Sequence, residues 1–203
     1  MVPRYSRAVP QLILWDIMDT LVRDPFFTHM PGFFGHGFDE LVARLQPGTW
    51  VEFEIAKLSE PEFYAGFFKD GRAFDGDGLK RCMREAYAWV EGIEPLLAEL
   101  KARGVSMHAL SNYPVWYRLI EQRLGLSRYV ELSFISCHTG LRKPAHEAFR
   151  HACAVLERPP GECLFIDDRA LNCDAARAVG LPALHFQGDV PLLRQQLETA
   201  GLL

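Results

Sequence analysis

Residues Leu12 to Val22 read Leu-Ile-Leu-Trp-Asp-Ile-Met-Asp-Thr-Leu-Val: four apolar residues, a carboxylate at Asp16 and a threonine four residues later at Thr20. In an open parallel sheet, ligands bind beyond the carboxyl ends of the strands, so a residue that ends an apolar strand faces the crevice rather than the core. An Asp in that position is placed to act on whatever occupies the crevice.

Outward from this stretch, short apolar runs alternate with helix-spaced segments after residue 90, the pattern of a parallel sheet covered by helices. The expected strands are Leu12 to Trp15, Val105 to Leu110, Leu132 to Ser136, Cys163 to Ile166 and Ala183 to Phe186. The helices between them are Glu94 to Arg103, Val115 to Leu124, Ala145 to Leu156 and Ala170 to Val179, with Gly104, Gly125 and Gly180 where C-terminal caps belong. From Asp24 to Trp89 the rhythm breaks, and amphipathic segments at Phe38 to Leu45, Pro61 to Phe68 and Gly78 to Trp89 predict a helical insertion. Fourteen of the 24 aromatic residues fall inside it, enough large apolar side chains to give a small subdomain its own core. The reading is an α/β, Rossmann-like core over residues 1–23 and 90–203, with a helical cap over 24–89.

The chain has 203 residues, 49% of them hydrophobic, and a formal net charge of -4, so it is long enough for a substantial core and lacks the basic surface that binds nucleic acid. Five cysteines, with no C-x-x-C pair, read as reduced core thiols. The first ten residues have too short an apolar stretch for a signal peptide, and no segment reaches the ~18 to 20 apolar residues of a membrane span. The expectation is a soluble cytoplasmic protein whose partner is a small molecule, with no nucleic acid and no membrane.

Three further strand ends carry polar groups. Ser111 and Asn112 follow the second strand, where a hydroxyl and backbone N–H groups near a helix start can hold phosphate oxygens. Lys143 follows the third, ahead of a proline suited to a first helical turn. The fourth runs straight into Asp167 and Asp168. Neighbouring parallel strands bring those acids close to Asp16, and two unit charges 4 Å apart interact by ~4 kcal/mol at an effective dielectric of 20. Three carboxylates therefore call for a cation or raised pKa values. All-oxygen ligands favour Mg²⁺, and Lys143 supplies further positive charge.

Asp16, Ser111, Lys143 and the Asp167-Asp168 pair, in this order and spacing, resemble the four motifs of the haloacid dehalogenase superfamily over about residues 11 to 190. The resemblance implies a Mg²⁺-dependent phosphomonoesterase with Asp16 as nucleophile, passing through an aspartyl-phosphate. It implies metal ligation by Asp16, the backbone carbonyl of Met18, Asp167 and Asp168. It implies phosphate binding by Thr20, Ser111, Asn112 and Lys143, and it identifies the insertion with a C1-type cap. Asp-x-Met-Asp-Thr, Trp50-Val-Glu-Phe-Glu, Ser111-Asn-Tyr-Pro-Val-Trp-Tyr and Arg142-Lys-Pro are similar to a narrower group, the plant chloroplast flavin mononucleotide hydrolases and their bacterial relatives. That likeness makes flavin mononucleotide a substrate candidate and the aromatic cap a surface for its ring.

One position departs from the phosphatase pattern Asp-x-Asp-Gly-Thr: the acid/base residue is Met18, and a thioether cannot transfer a proton. Asp19, where glycine is usual, is the candidate replacement. The alternatives are a metal-independent 2-haloacid dehalogenase, which the Asp167-Asp168 pair argues against, and a phosphate-binding protein without turnover, which Met18 and the aromatics between Pro25 and Phe38 motivate.

Overall fold

The computed structural model describes residues 12–203; the N-terminal stretch read as lacking a signal peptide lies outside the described residues. Five parallel strands, β1 (Leu12–Trp15), β2 (Ser106–Ser111), β3 (Glu131–Ile135), β4 (Cys163–Asp167) and β5 (Ala183–His185), form one sheet in the order β3-β2-β1-β4-β5. β1 is central and all four of its residues are buried, which explains why it is apolar throughout instead of alternating. Its period of two still sorts the contacts: Ile13 and Trp15 pack with Leu97 and Ile120 on one face, Leu12 and Leu14 with Phe149 and Phe165 on the other.

The crossover helices are Ile93–Ala102, Tyr117–Leu124, His146–Val155 and Ala170–Ala178, with Val190–Thr199 last. Their ends shift from the sequence expectation for local reasons. At 115–117 the chain first makes a tight turn, with Tyr117 N–H donating to Pro114 C=O at 3.0 Å and Leu119 N–H to Trp116 C=O at 2.8 Å, so the helix begins two residues late. Gly104 and Gly180 adopt φ of +78° and +84°, the left-handed geometry that ends a helix at little cost only in glycine. β3 starts one residue early, at Glu131, and Ser136 leaves it to open the short helix Ser136–Thr139.

Residues 24–89 are built of helices: a 3₁₀ turn at Pro25–Phe27, then His29–Phe33, Phe38–Arg44, Thr49–Glu54, Glu60–Ala65 and Gly76–Ala86. Three of these match the amphipathic segments, in shortened form; the turn at 25–27 and the helices at 29–33 and 49–54 were not anticipated. Phe53 and Phe63 stack with ring centroids 4.3 Å apart, and Trp50 lies against Phe26, Phe53, Phe63, Tyr113 and Trp116. Burying each such ring contributes ~1.5–3 kcal/mol, which accounts for the aromatic richness of so short a stretch. The two connections to the sheet run antiparallel side by side: Arg23 N–H donates to Ala88 C=O and Val90 N–H to Leu21 C=O, both at 2.9 Å.

All five cysteines are free, with Cys137, Cys153, Cys163 and Cys173 buried as small apolar side chains. Among the described residues no helix is long and apolar enough to cross a membrane.

Candidate active site

The register of the sheet assembles the site. Trp15 pairs with Ile166 of β4 and Ala109 of β2, so the next residue, Asp16, falls beside Asp167 and near Ser111. Asp16 N–H continues the ladder by donating to Ile166 C=O at 2.9 Å. Three strand ends are thereby aligned to within a residue.

Lys143 reaches this point from the loop after β3. Its Nζ lies 2.6 Å from Asp16 Oδ1 and 2.6 Å from Asp167 Oδ2, and all three residues are buried. Burial alone would lower the ammonium pKa; the two carboxylates outweigh it and hold the group above its ordinary value, charged. Asn112 positions that loop. Its side-chain amide donates to Lys143 C=O and its carbonyl accepts Lys143 N–H, each at 2.8 Å. Pro144 does not open the next helix: Ala145 N–H closes a turn on Arg142 C=O at 2.9 Å, and the helix begins at His146.

Asp167, fully buried, accepts from Arg169 N–H at 2.8 Å and from the Asn172 amide at 3.0 Å, so both its oxygens are already engaged by protein. Asp168 differs. Its backbone N–H donates to Thr20 Oγ1 at 3.1 Å, and its C=O accepts from His185 Nε2 at 2.8 Å. Its carboxylate has no hydrogen-bond donor among the described residues. Burial, followed by the charges of Asp16, Asp167 and Asp19, pushes that carboxyl up to about 7. Asp16 is pushed up to about 6, chiefly by burial and against the pull of Lys143.

Oxygens of Asp16, Asp167 and Asp168 lie within 4.8 Å of one another. Three carboxylates against one ammonium leave an all-oxygen cluster short of positive charge, and the raised Asp16 and Asp168 carboxyls express that shortage. The donor set fits a hard divalent cation such as Mg²⁺. Ser111 Oγ gives a second sign of a missing ligand: it is buried at the end of β2 and has no partner, a loss of ~1–3 kcal/mol that an incoming acceptor oxygen would recover.

Of the residues singled out from sequence, Asp16, Lys143, Asp167, Asp168, Ser111 and Thr20 converge. Asn112 sits beside them, but its amide is committed to the Lys143 backbone rather than open to a phosphate. Met18 is half-buried, its side chain packed against the apolar core. Asp19 is exposed with φ +52°, the left-handed geometry that explains why glycine suits this place, and its Oδ1 accepts Asp24 N–H at 2.9 Å.

Sequence reasoning missed the contact between insertion and sheet. Glu54, buried in the Thr49–Glu54 helix, accepts from Arg142 Nε at 2.7 Å and from Trp50 Nε1 at 2.6 Å. Ser136 Oγ donates to Glu54 C=O at 2.7 Å, and Trp116 Nε1 to Glu60 at 2.5 Å. A lone acid on the apolar face of a short aromatic helix was the available signal, and Arg142 beside Lys143 was its counterpart.

The haloacid dehalogenase-like hydrolase family matches residues 10–180. The chain belongs to that family. It is 43% identical over 197 residues to flavin mononucleotide hydrolase 1, chloroplastic, of Arabidopsis thaliana, covering 97% of this chain and 80% of that protein. It is 33% identical over 159 residues to a plasmid-encoded phosphoglycolate phosphatase of Cupriavidus necator, covering 78% of this chain and 64% of the relative. A haloacid dehalogenase family enzyme of Bacteroides thetaiotaomicron, solved in complex with magnesium and inorganic phosphate, shares the fold with a TM-score of 0.74 at 20% identity, over 91% of this chain and 98% of that one. The chain is accordingly a hydrolase of the phosphatase type.

Proposed function

We propose that the protein is a Mg²⁺-dependent phosphomonoesterase that works through an aspartyl-phosphate on Asp16 and takes flavin mononucleotide as a substrate. The observation that carries this reading is the buried Lys143 ammonium, 2.6 Å from both Asp16 and Asp167, beside an Asp168 carboxylate that has no donor among the described residues. Asp16, Asp168 and the backbone carbonyl of Met18 would hold Mg²⁺, with Asp167 beside it. The ion supplies charge neutralisation for the phosphate oxygens.

The chain's own residues account for the rest. An Asp16 carboxylate oxygen bonds to phosphorus as the ester P–O bond breaks, and water later cleaves the Asp16–phosphate bond to release inorganic phosphate. Lys143 orients Asp16 and sets its positive charge against the negative charge on the oxygens of the transferring phosphoryl group. Ser111 Oγ–H donates to a phosphate oxygen, which supplies the partner it otherwise lacks. Thr20 holds the Asp16 loop against Asp168, and Asn112 holds the loop that carries Lys143. Residues 24–89 act as a cap whose Phe26, Phe27, Phe38 and Trp50 rings, at centroid separations of 5.1–6.0 Å, offer a wall to the isoalloxazine ring.

The test is phosphate release from flavin mononucleotide and a panel of phosphomonoesters, with Mg²⁺ and with chelator. Turnover is expected only with Mg²⁺, and Asp16→Asn is expected to remove it by at least ~10⁴-fold while the fold persists. Turnover that survives Asp16→Asn, or halide release from a haloacid without metal, refutes the reading.

A further inference from the structure

Cleaving an alkyl phosphate leaves an alkoxide, a poor leaving group until it gains a proton, and the acids around the crevice differ in their freedom to give one. Asp16 is the nucleophile, and Asp167 has both oxygens engaged. Asp168 belongs to the cation set. Glu54 is held by Arg142 and Trp50, and Lys143 by two carboxylates. Asp19 uses Oδ1 to accept Asp24 N–H at 2.9 Å and lies exposed on the turn.

Asp24 remains. The loop after Asp16 doubles back, with Asp19 N–H donating to Val22 C=O at 2.6 Å, so residue 24 returns to the side of residue 19. It stands where the chain leaves the sheet for the cap, half-buried, with Oδ1 accepting Phe26 N–H at 2.9 Å. No donor among the described residues reaches its Oδ2. The groups that face it are Asp16 and Asp19 from the sheet side, Glu54 from the Thr49–Glu54 helix, and the buried Tyr87 and Tyr113 hydroxyls, which lie 2.7 Å apart. The cations nearest these groups, Arg142 on Glu54 and Lys143 on Asp16, are committed to those partners, and among the described residues Asp24 makes no ion pair. Burial pushes its carboxyl up to about 6 against the pull of the Phe26 N–H, and the charges of Asp19, Asp16 and Glu54 add to the rise. A carboxyl raised that far keeps a minor protonated fraction at neutral pH that an ordinary aspartate lacks, and a larger one as the pH falls toward 6.

The geometry points to Asp24 as the general acid of the first half-reaction, a catalytic residue supplied by the junction between sheet and cap. This rests on the phosphomonoesterase reading above. As Asp16 Oδ bonds to phosphorus, the bond from phosphorus to the ester oxygen breaks, and that oxygen takes the Asp24 proton to leave as an alcohol. Asp24 is left as carboxylate. When water attacks the phospho-Asp16, its proton returns to Asp24 and inorganic phosphate departs, restoring both groups.

The experiment follows the first turnover, where product release and the second step do not interfere, in the Mg²⁺-loaded full chain. Riboflavin release from flavin mononucleotide is compared with nitrophenolate release from 4-nitrophenyl phosphate, whose leaving group departs as a stable anion. Asp24→Asn keeps the oxygen that accepts Phe26 N–H, so the turn survives. It is expected to slow riboflavin release by ~10²-fold or more and nitrophenolate release by less than about 3-fold. Equal losses on both substrates, or none on either, overturn the assignment, as does a selective loss in Asp19→Asn that Asp24→Asn does not show. A wild-type protein that releases neither product refutes the phosphomonoesterase reading itself, which separates the two failures.

Discussion

The two walls of the crevice are held together by different physics. The floor, at the ends of β1, β2 and β4, is a buried ionic lattice in which the Lys143 ammonium spans Asp16 and Asp167 at 2.6 Å each, and Asn112 and Asn172 brace the pieces. The roof is a packing of rings, Phe53 on Phe63 at 4.3 Å and Trp50 edge-on to its neighbours, joined to the rest of the chain by the Glu54–Arg142 pair among other contacts, such as Ser136 on Glu54 C=O and Trp116 on Glu60. A buried lattice has no substitute for a missing charge, because each remaining group has already given up water. Ring packing is non-directional and tolerates changes of shape that preserve volume. On the proposed function, chemistry falls to the part that cannot vary, and substrate selection to the part that can.

The largest expected effect comes from breaking the floor. Lys143→Met leaves Asp16 and Asp167 buried without their cation and is expected to cost ~3–5 kcal/mol of stability, along with turnover. The sign with pH follows from the carboxyls. Without the ammonium the Asp16 carboxyl, already raised by burial, loses the pull that lowers it and rises further, so the loss is greatest near pH 8 and shrinks toward pH 5. Urea unfolding at the two pH values measures it; a loss independent of pH would show that packing, not charge, holds this wall.

A gentler test leaves the chain intact. Asp16 at about 6 and Asp168 at about 7 both stand above the ordinary carboxylate value, so between about pH 4 and 7 the metal-free folded state holds more protons than the unfolded one. Its stability is expected to fall as pH rises through that window. Mg²⁺ competes with those protons, so at a hundredfold excess over Kd it is expected to return about 2.7 kcal/mol near pH 8 and clearly less at pH 5, read as the shift in Tm against chelator. An equal shift at both pH values would remove Asp16 and Asp168 from the cation site.

The floor was the more legible wall, for the same reason that it is intolerant. An apolar run that ends in Asp, as at Trp15-Asp16 and Ile166-Asp167, announces a parallel strand and its polar end in adjacent residues, and the sheet register brings those ends together. Lys143 is less direct: β3 ends at Ile135 and the Ser136–Thr139 helix intervenes, so its place rested on the order of the four motifs rather than on a strand end. The roof offered no such rule. His29–Phe33 and Thr49–Glu54 are five and six residues long, too short for a helical period to emerge from an aromatic-rich background. Glu54 and Arg142 stand 88 residues apart, so nothing local marks them as partners. Asp19 was legible as an acid in the right motif, but its left-handed backbone and its bond to Asp24 N–H belong to a turn that only the three-dimensional structure displays.

The smallest effect tests the seam between the walls. Glu54→Gln keeps a side chain of the same length that still accepts a hydrogen bond, but it leaves the Arg142 charge uncompensated. Arg142→Met does the reverse to Glu54, whose carboxyl burial already raises despite the guanidinium. Each single change is expected to cost about 1–2 kcal/mol, and the double variant less than their sum, with a coupling of ~0.5–3 kcal/mol in a thermodynamic cycle. Arg142 adjoins Lys143, so a real seam predicts more than lost stability: loosening the roof should raise KM for a bulky substrate such as flavin mononucleotide more than for phosphoglycolate, with kcat nearly constant. Additive costs, or equal KM changes for both substrates, would mean that the pair only fastens two packed bodies and takes no part in selecting what lies between them.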